Sequence, residues 1–145
     1  MIEQAQTDIY QIRPVGYART TTRIEILPEY EPLLDGIDGF SHIVVVFWPH
    51  KLPEDERKIQ KVHPRGIEEI PRQGIFATRS PARPNPILIS TVQLINRQQT
   101  CLEISALDCM DNTPILDIKP ITRLEVPEEA LRFPDWVRQV HARPR

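Results

Sequence analysis

The stretch His42-Ile43-Val44-Val45-Val46-Phe47-Trp48 decides the fold class of this chain. Its β-branched and aromatic residues form one continuous apolar run of strand length, which is typical of a buried β-strand. A second strand is predicted at residues 23–27, where apolar and polar side chains alternate, and a looser alternation predicts a third at residues 9–17. The sequence therefore indicates a protein built mainly from β-strands.

Similar patterns continue along the rest of the chain. Four further strands are predicted, at residues 74–78, 87–95, 101–107 and 114–121. Residues 96–100 have the composition of a hairpin connection, and residues 28–36 that of a short helical turn ending at Gly36. Fifteen prolines against five glycines disfavour long helices. Strands at this spacing indicate a β-barrel or a β-sandwich.

Two segments are expected to lie outside the barrel. Residues 51–72 are charged and bounded by prolines, and we interpret them as a surface excursion. The tail at residues 127–145 has helical spacing and is predicted to dock an apolar face on the barrel. That face would consist of Phe133, Trp136, Val137 and Val140. One domain is expected over residues 1–145, with its core at about 8–123.

Composition excludes several classes of protein. The net charge of −2 points to no dominant partner, and the five isolated glycines form no phosphate or dinucleotide loop. Neither the histidines nor Cys101 and Cys109 have metal-ligand spacing, so we expect reduced thiols and no metal. The polar N-terminus and the lack of a long apolar run predict a cytoplasmic protein without a signal peptide or membrane span.

The first segment with chemical potential is Thr78-Arg79-Ser80-Pro81-Ala82-Arg83-Pro84-Asn85-Pro86-Ile87. Three prolines in six residues fix the backbone, so the polar side chains are presented with little conformational entropy left to lose. Such preorganised donors suit an anionic or carbonyl-rich ligand. A proline-arginine turn can also be a purely structural surface loop.

The second segment is residues 107–120, which places three carboxylates and a lysine around a turn between two strands. Asn112 suits a left-handed turn position. Carboxylates can hold ribose hydroxyls and an adenine amine, and can lie near a sulfonium cation. Alternatively, Asp108 and Asp117 cap turns or pair with Lys119.

Both segments resemble the hallmark segments of the TsaA/TrmO (VirR-like) family of tRNA methyltransferases. The resemblance extends to Arg13-Pro14-Val15-Gly16 and Phe40-Ser41-His42, and so covers about residues 8–123. It implies a compact antiparallel β-barrel of about six to seven strands with short connecting helices and a C-terminal helix. The barrel is implied to bind S-adenosyl-L-methionine (SAM) as a homodimer, with the cofactor site near the interface. The implied reaction is N6-methylation of threonylcarbamoyl-adenosine beside the anticodon of threonine tRNA.

Matching residue by residue carries the family's site onto this sequence. The implied cofactor contacts are His50, Lys51, Arg79, Ile89 and the turn Asp111-Asn112-Thr113-Pro114. The residues implied to shape the pocket or face the tRNA are Arg83, Asn85, Asp108, Asp117 and Lys119. If a base removes a proton from the acceptor, Asp108 or Asp111 is the candidate.

Three positions depart from the family. The proline-arginine-glutamine loop between the first two strands is missing, because residues 17–23 form a shorter connection. Leu88 and Asn112 stand where glycine is common. A small-molecule methyltransferase and a non-catalytic SAM sensor therefore remain alternatives. Occlusion of the pocket by Leu88 would favour the sensor, a closed apolar pocket the small molecule, and a basic surface beside Arg79 the tRNA.

Other prominent residues have ordinary structural explanations. We interpret His42, Phe47, Trp48 and Phe76 as core residues, although an aromatic side chain at a strand end could instead stack on adenine. The charged excursion is read as a solvated face. Its Lys58, Lys61, Arg65 and Arg72 could instead contact phosphates.

Overall fold

A closed β-barrel forms the centre of the protein, whose computed structural model describes residues 7–144. The strands are β1 (Gly16–Thr20), β2 (Arg23–Ile26), β3 (His42–Phe47), β4 (Lys61–Val62), β5 (Gln73–Gly74), β6 (Leu88–Gln98), β7 (Cys101–Ile104) and β8 (Thr113–Pro120). The barrel order is β1-β2-β7-β6-β3-β8, and β8 pairs back onto β1. These pairings are antiparallel, which confirms the predicted fold class.

Short helices connect the strands. The predicted helical turn is a 3₁₀ helix at Pro28–Leu34, and Gly36 follows in the left-handed conformation. Pro32 lies inside this helix and has no amide to donate, which suits a short 3₁₀ segment better than a long α-helix. Further 3₁₀ turns lie at Ile37–Gly39, Glu54–Lys58, Pro64–Gly66, Ile75–Ala77 and Glu128–Ala130, and helix α1 covers Asp135–Ala142.

Strand β3 shows how the sequence pattern fills the barrel. Ile43, Val45 and Phe47 are buried in the core, whereas the alternate residues face outward. His42 is exposed at the start of the strand, with its Nδ1 2.8 Å from Ser41 Oγ. The interpretation of His42 as a core residue was therefore wrong, because the two-residue period of the strand directs it to solvent.

Gly16 is required where β1 and β2 pair closely. A Cβ atom at this position would lie 2.4 Å from the carbonyl oxygen of Glu25 and 2.9 Å from Cα of Ile26. Since these are backbone atoms, no side-chain movement could relieve the clash. Gly16 therefore allows the close approach of the two strands.

The predicted strand at residues 9–17 was wrong over most of its length. Ile9 and Tyr10 are 88% and 86% exposed, and the chain joins the barrel only where the Val15 amide donates to the Ile115 oxygen, 2.8 Å away. Alternation is a local signal, whereas a strand also needs a partner. β8 pairs with β1 only as far as Gly16.

The predicted strand at residues 74–78 was also wrong beyond Gly74. The chain turns into the 3₁₀ helix Ile75–Ala77, and Thr78 Oγ1 closes the turn by donating to the Ile75 oxygen, 2.8 Å away. Ile75 is buried, but Phe76 is 85% exposed. The turn thus directs Phe76 away from the core in which we had placed it.

The charged excursion is better anchored than its sequence indicates. Pro64, Ile67 and Ile70 are buried within it. Arg65 adopts a positive φ of 52° and donates hydrogen bonds to the oxygens of Val140, Arg143 and Pro144. The helical tail is thereby held by the excursion, where we had expected docking on the barrel.

Between residues 7 and 144, no helix combines the length and hydropathy needed to cross a membrane. The prediction that the extreme N-terminus is no signal peptide lies largely outside the described residues, because these begin at Thr7.

Candidate functional site

A cavity of about 810 Å³ opens at the end of the barrel where the two polar turns meet. Its walls come from the end of β3, the chain that follows it, the proline-rich turn, the start of β6 and the turn before β8. The lining residues are Val44, Phe47, Pro49, His50, Lys51, Leu52, Pro53, Arg79, Pro81, Arg83, Ile87, Leu88, Ile89, Ser90, Thr91, Asp108, Cys109, Met110 and Thr113. Two segments separated by more than twenty residues in sequence thus form one concave surface.

The proline-rich turn is held in place by arginine side chains. Arg83 Nη2 donates to the carbonyl oxygens of Ile75 and Thr78, at 3.2 and 3.4 Å. Arg57 reaches the turn from the excursion, where its Nε donates to the Pro84 oxygen, 2.8 Å away. The guanidinium of Arg57 also lies over the Trp48 ring, 5.7 Å from its centroid. These contacts leave the turn little freedom to move.

Arg79 is the arginine of this turn that faces the cavity with donors to spare. Its Nη2 donates to the Ile89 oxygen at 3.3 Å, which orients the guanidinium along the start of β6. The side chain is exposed, and both His50 and Lys51 line the same cavity. One side of the cavity is therefore rich in hydrogen-bond donors suited to an anionic group.

Another part of the cavity wall is formed by the turn before β8. Thr113 is buried and its Oγ1 donates to the Met110 oxygen at 2.6 Å. Asn112 has a φ of 64°, as its predicted left-handed position requires. Its backbone amide donates a hydrogen bond to the Ala18 oxygen, 2.7 Å away. The turn is thus closed internally and fastened to the β1–β2 hairpin, with Asp108 facing the cavity.

Cys109 is a half-buried thiol in the cavity wall. Burial raises the pKa of this thiol, and the nearby carboxylates of Asp108 and Asp111 act in the same direction. The hydrogen bond with Thr113 opposes them but does not outweigh them. Cys109 consequently stays protonated at neutral pH and contributes a small apolar surface to the cavity wall.

The structure brings about half of the predicted site residues together. Those lining the cavity are His50, Lys51, Arg79, Arg83, Ile89, Asp108 and Thr113. The cavity lining does not include Asn85, Asp111, Asn112, Pro114, Asp117 or Lys119. The functions assigned to this second group stay predictions, although Asn112 has a visible structural role in the turn.

Asp117 and Lys119 lie together on β8. Lys119 Nζ is 2.9 Å from Asp117 Oδ2, and hydrogen bonding to this carboxylate, with its charge, raises the pKa of the Lys119 ammonium. Asp117 lines a smaller cavity next to the 3₁₀ helix Pro28–Leu34. This ion pair matches the alternative interpretation, in which Asp117 pairs with Lys119.

Several cavity residues could not be recognised from the sequence. Leu52 and Met110 line the cavity, but neither was identified as a site residue, although Met110 lies within the second polar segment. Leu88 packs partly against the barrel core at the cavity wall and leaves the cavity open. The apolar character of Leu52 and Met110 gave no signal, because the same residue types fill any core. Among residues 7–144, no cluster of three or more potential metal ligands occurs.

Comparisons with known proteins agree on one family. The family model of the tRNA-methyltransferase O N-terminal domain, which describes the sequences of that family, matches residues 7–124 of this chain. A probable S-adenosyl-L-methionine-binding protein of Methanocaldococcus jannaschii is 39% identical over 115 residues, covering 77% of this chain and 91% of the relative. A similar protein of Methanothermobacter thermautotrophicus is 37% identical over 127 residues, covering 76% of this chain and 88% of the relative.

Solved structures show the same likeness. A crystal structure of TrmO from Pseudomonas aeruginosa superposes with a TM-score of 0.67 at 25% identity, covering 89% of this chain. The match covers 62% of the TrmO chain. This protein therefore spans less than two thirds of the solved protein that it resembles.

Proposed function

The chain belongs to the tRNA-methyltransferase O N-terminal domain family, and on that premise we propose that it is a SAM-dependent methyltransferase acting on tRNA. The observation that carries the proposal is the shared cavity. It joins the donor-rich side with Arg79 to the side with Asp108. The relatives' names describe SAM binding, and this cavity offers the groups that such a ligand needs.

The residues present fit the cofactor. The cavity volume of about 810 Å³ lies within the range of roughly 300–1,000 Å³ usual for small-molecule sites. Arg79 and Lys51 are placed to bind a carboxylate, whereas Asp108 can accept hydrogen bonds from ribose hydroxyls or face a cationic group. Leu88, Ile89 and Met110 supply apolar surface for an adenosine moiety. When bound, SAM supplies an electrophilic methyl group on a sulfonium.

The protein's own contribution is mainly to position the reactants. The arginine-braced turn and the hydrogen-bonded turn before β8 are each held in one conformation at the cavity wall, which lowers the entropic cost of bringing two reactants into line. Asp108 is the carboxylate of the two candidates that lines the cavity, and we assign it the removal of a proton from the acceptor nitrogen.

The finer details of the proposal rest on the family resemblance. We propose that the acceptor is N6 of threonylcarbamoyl-adenosine beside the anticodon of threonine tRNA. The proposal includes a homodimer with the cofactor site near the interface, and a cytoplasmic location where tRNA is available. The cofactor-binding unit would be residues 8–123.

The cavity argues against both alternatives. A small-molecule enzyme would be favoured by a closed apolar pocket, but this cavity is open and has basic residues on one side. A sensor would be favoured by occlusion at Leu88, but that side chain turns partly into the core. The tRNA enzyme remains the best-supported function.

Two measurements test the proposal in sequence. Calorimetric titration with SAM should give micromolar binding, and radiolabelled SAM should then transfer its methyl group to unmethylated threonine tRNA. Binding without transfer to tRNA would favour the sensor or the small-molecule enzyme. Absence of SAM binding would overturn the cofactor assignment.

A further inference from the structure

An exposed aromatic ring stands on a rigid turn immediately before the cavity-lining arginine. Phe76 is 85% exposed, whereas Ile75 beside it is 4% exposed and anchors the turn in the interior. Phe76 is not among the described residues that line the cavity. The ring is therefore offered to solvent next to the site and takes no part in the cavity wall.

The turn that carries Phe76 is braced from several directions. The Ile75 amide donates to the Gln60 oxygen at 3.0 Å, and the Ile75 oxygen accepts hydrogen bonds from Thr78 Oγ1 and Arg83 Nη2. The preceding residue pair, Gln73–Gly74, is β5 and pairs with β4. A ring on such a support can stack on a ligand with little loss of backbone entropy.

The sequence segment that carries the ring has a charge that suits a polyanion. Residues 70–102 contain four arginines and no aspartate or glutamate, although the whole chain has a net charge of −2. Arg83 is hydrogen-bonded to the turn that carries Phe76. Arg79 lies three residues after Phe76 in the sequence, and its side chain is exposed. An aromatic ring flanked by arginines is the arrangement by which proteins hold unpaired nucleotides, since the ring stacks on the base and the arginines meet the phosphates.

We propose that Phe76 is a stacking platform for an unpaired base of the RNA substrate, next to the base that enters the cavity. This inference rests on the proposed function and assigns the recognition of single-stranded RNA to one side chain. Stacking tolerates any base, so Phe76 contributes affinity for an unpaired loop and leaves the choice of the methylated base to the cavity.

The test measures RNA binding and SAM binding on the same variants. Binding of a threonine anticodon stem–loop is followed by fluorescence anisotropy, with a fully paired duplex of the same stem as the second RNA. Phe76→Ala should bind the stem–loop about tenfold more weakly, and Phe76→Trp should restore the affinity. Affinity for the duplex and for SAM should not change.

Tyr10→Ala is the matched control, because Tyr10 is another aromatic side chain with 86% exposure, on the segment preceding β1. This substitution should not change the affinity for the stem–loop.

Equal affinities of the unchanged protein and Phe76→Ala for the stem–loop would overturn the inference without affecting the proposed methyltransferase function. A parallel loss of SAM affinity in Phe76→Ala would also overturn the inference, because it would place Phe76 in the cofactor site. A shift from dimer to monomer in light scattering, without loss of RNA affinity, would overturn it as well. Failure of the unchanged protein to bind any RNA, with SAM still bound, would overturn the tRNA function and this inference together.

Discussion

Arg19 donates a hydrogen bond from Nη1 to Oδ1 of Asn112, 3.1 Å away, and so joins the β1–β2 hairpin to the turn that borders the cavity. The Arg19 guanidinium also lies 4.8 Å from the centroid of the Tyr17 ring and 3.3 Å from Glu25. The short β1–β2 hairpin thus supports the turn. This support has measurable consequences.

Arg19→Ala should weaken SAM binding about threefold, because one hydrogen bond that holds the Asn112 turn is lost. Amide hydrogen exchange should become faster at Asn112 and Thr113. Calorimetry and exchange mass spectrometry measure the two effects. Arg138→Ala, which removes an exposed arginine of α1, is the control. Unchanged exchange at the turn in Arg19→Ala would show that the backbone bonds alone hold it.

Arg79→Ala should weaken SAM binding by about 10- to 100-fold, as expected when a hydrogen bond to a charged group is removed. Arg79 is exposed and its Nη2 makes a single-atom hydrogen bond of 3.3 Å to the Ile89 oxygen, so the fold should tolerate the change. Calorimetry gives the affinity and thermal unfolding the stability. Arg132→Ala, in the exposed tail, should change neither. An unaltered affinity in Arg79→Ala would remove Arg79 from the cofactor site.

Asp108→Asn should lower the rate of methyl transfer by about 100-fold or more while changing SAM affinity little, if Asp108 is the base. Asp111→Asn should retain most of the activity, because Asp111 is not among the residues lining the cavity. Single-turnover assays with labelled SAM separate transfer from binding. Equal losses of transfer and binding in Asp108→Asn would indicate a cofactor contact, and the reverse ranking of the two variants would assign the base to Asp111.

Cys109 should react slowly with iodoacetamide near pH 8, since burial raises the pKa of its thiol and leaves less thiolate. Because only the thiolate reacts, the labelling rate should continue to rise with pH beyond the point where an unstructured cysteine peptide has levelled off. A Cys101→Ser background makes mass spectrometry report Cys109 alone. Added SAM should slow the labelling further, because Cys109 lines the cavity. Labelling as fast as that of the peptide would contradict the buried position.

Gly16→Ala should destabilise the protein by about 1–3 kcal/mol, because its Cβ would clash with the backbone of β2. The midpoint of thermal unfolding should fall by several degrees. Gly39→Ala is the matched control, since no atom lies within 4 Å of the Cβ position there. Equal midpoints for the two variants would mean that β1 can move away from β2 without cost.

Five of the six barrel strands in the described residues, β2, β3, β6, β7 and β8, could be predicted from the sequence, whereas β1 was placed mostly before its true position. β3 has a continuous apolar run because it is paired with β6 and β8 while packing on the core. Residues 9–15 and 75–78 carry similar apolar residues, yet they form no strand. Whether a partner strand is available is a property of the whole barrel, and local periodicity carries no information about it.

The candidate site was likewise only partly predictable from the sequence. The two polar turns and the left-handed position of Asn112 were recognisable because proline, asparagine and clustered charge restrict the local backbone. Sequence by itself thus determined the fold class, the family and the two segments that could carry chemistry. Only the tertiary structure decided that Arg79 and Asp108 line one cavity, that Asp117 does not, and that Phe76 faces solvent. The physical reason is that backbone preferences act over a few residues, whereas the walls of a cavity are brought together by the closure of the barrel.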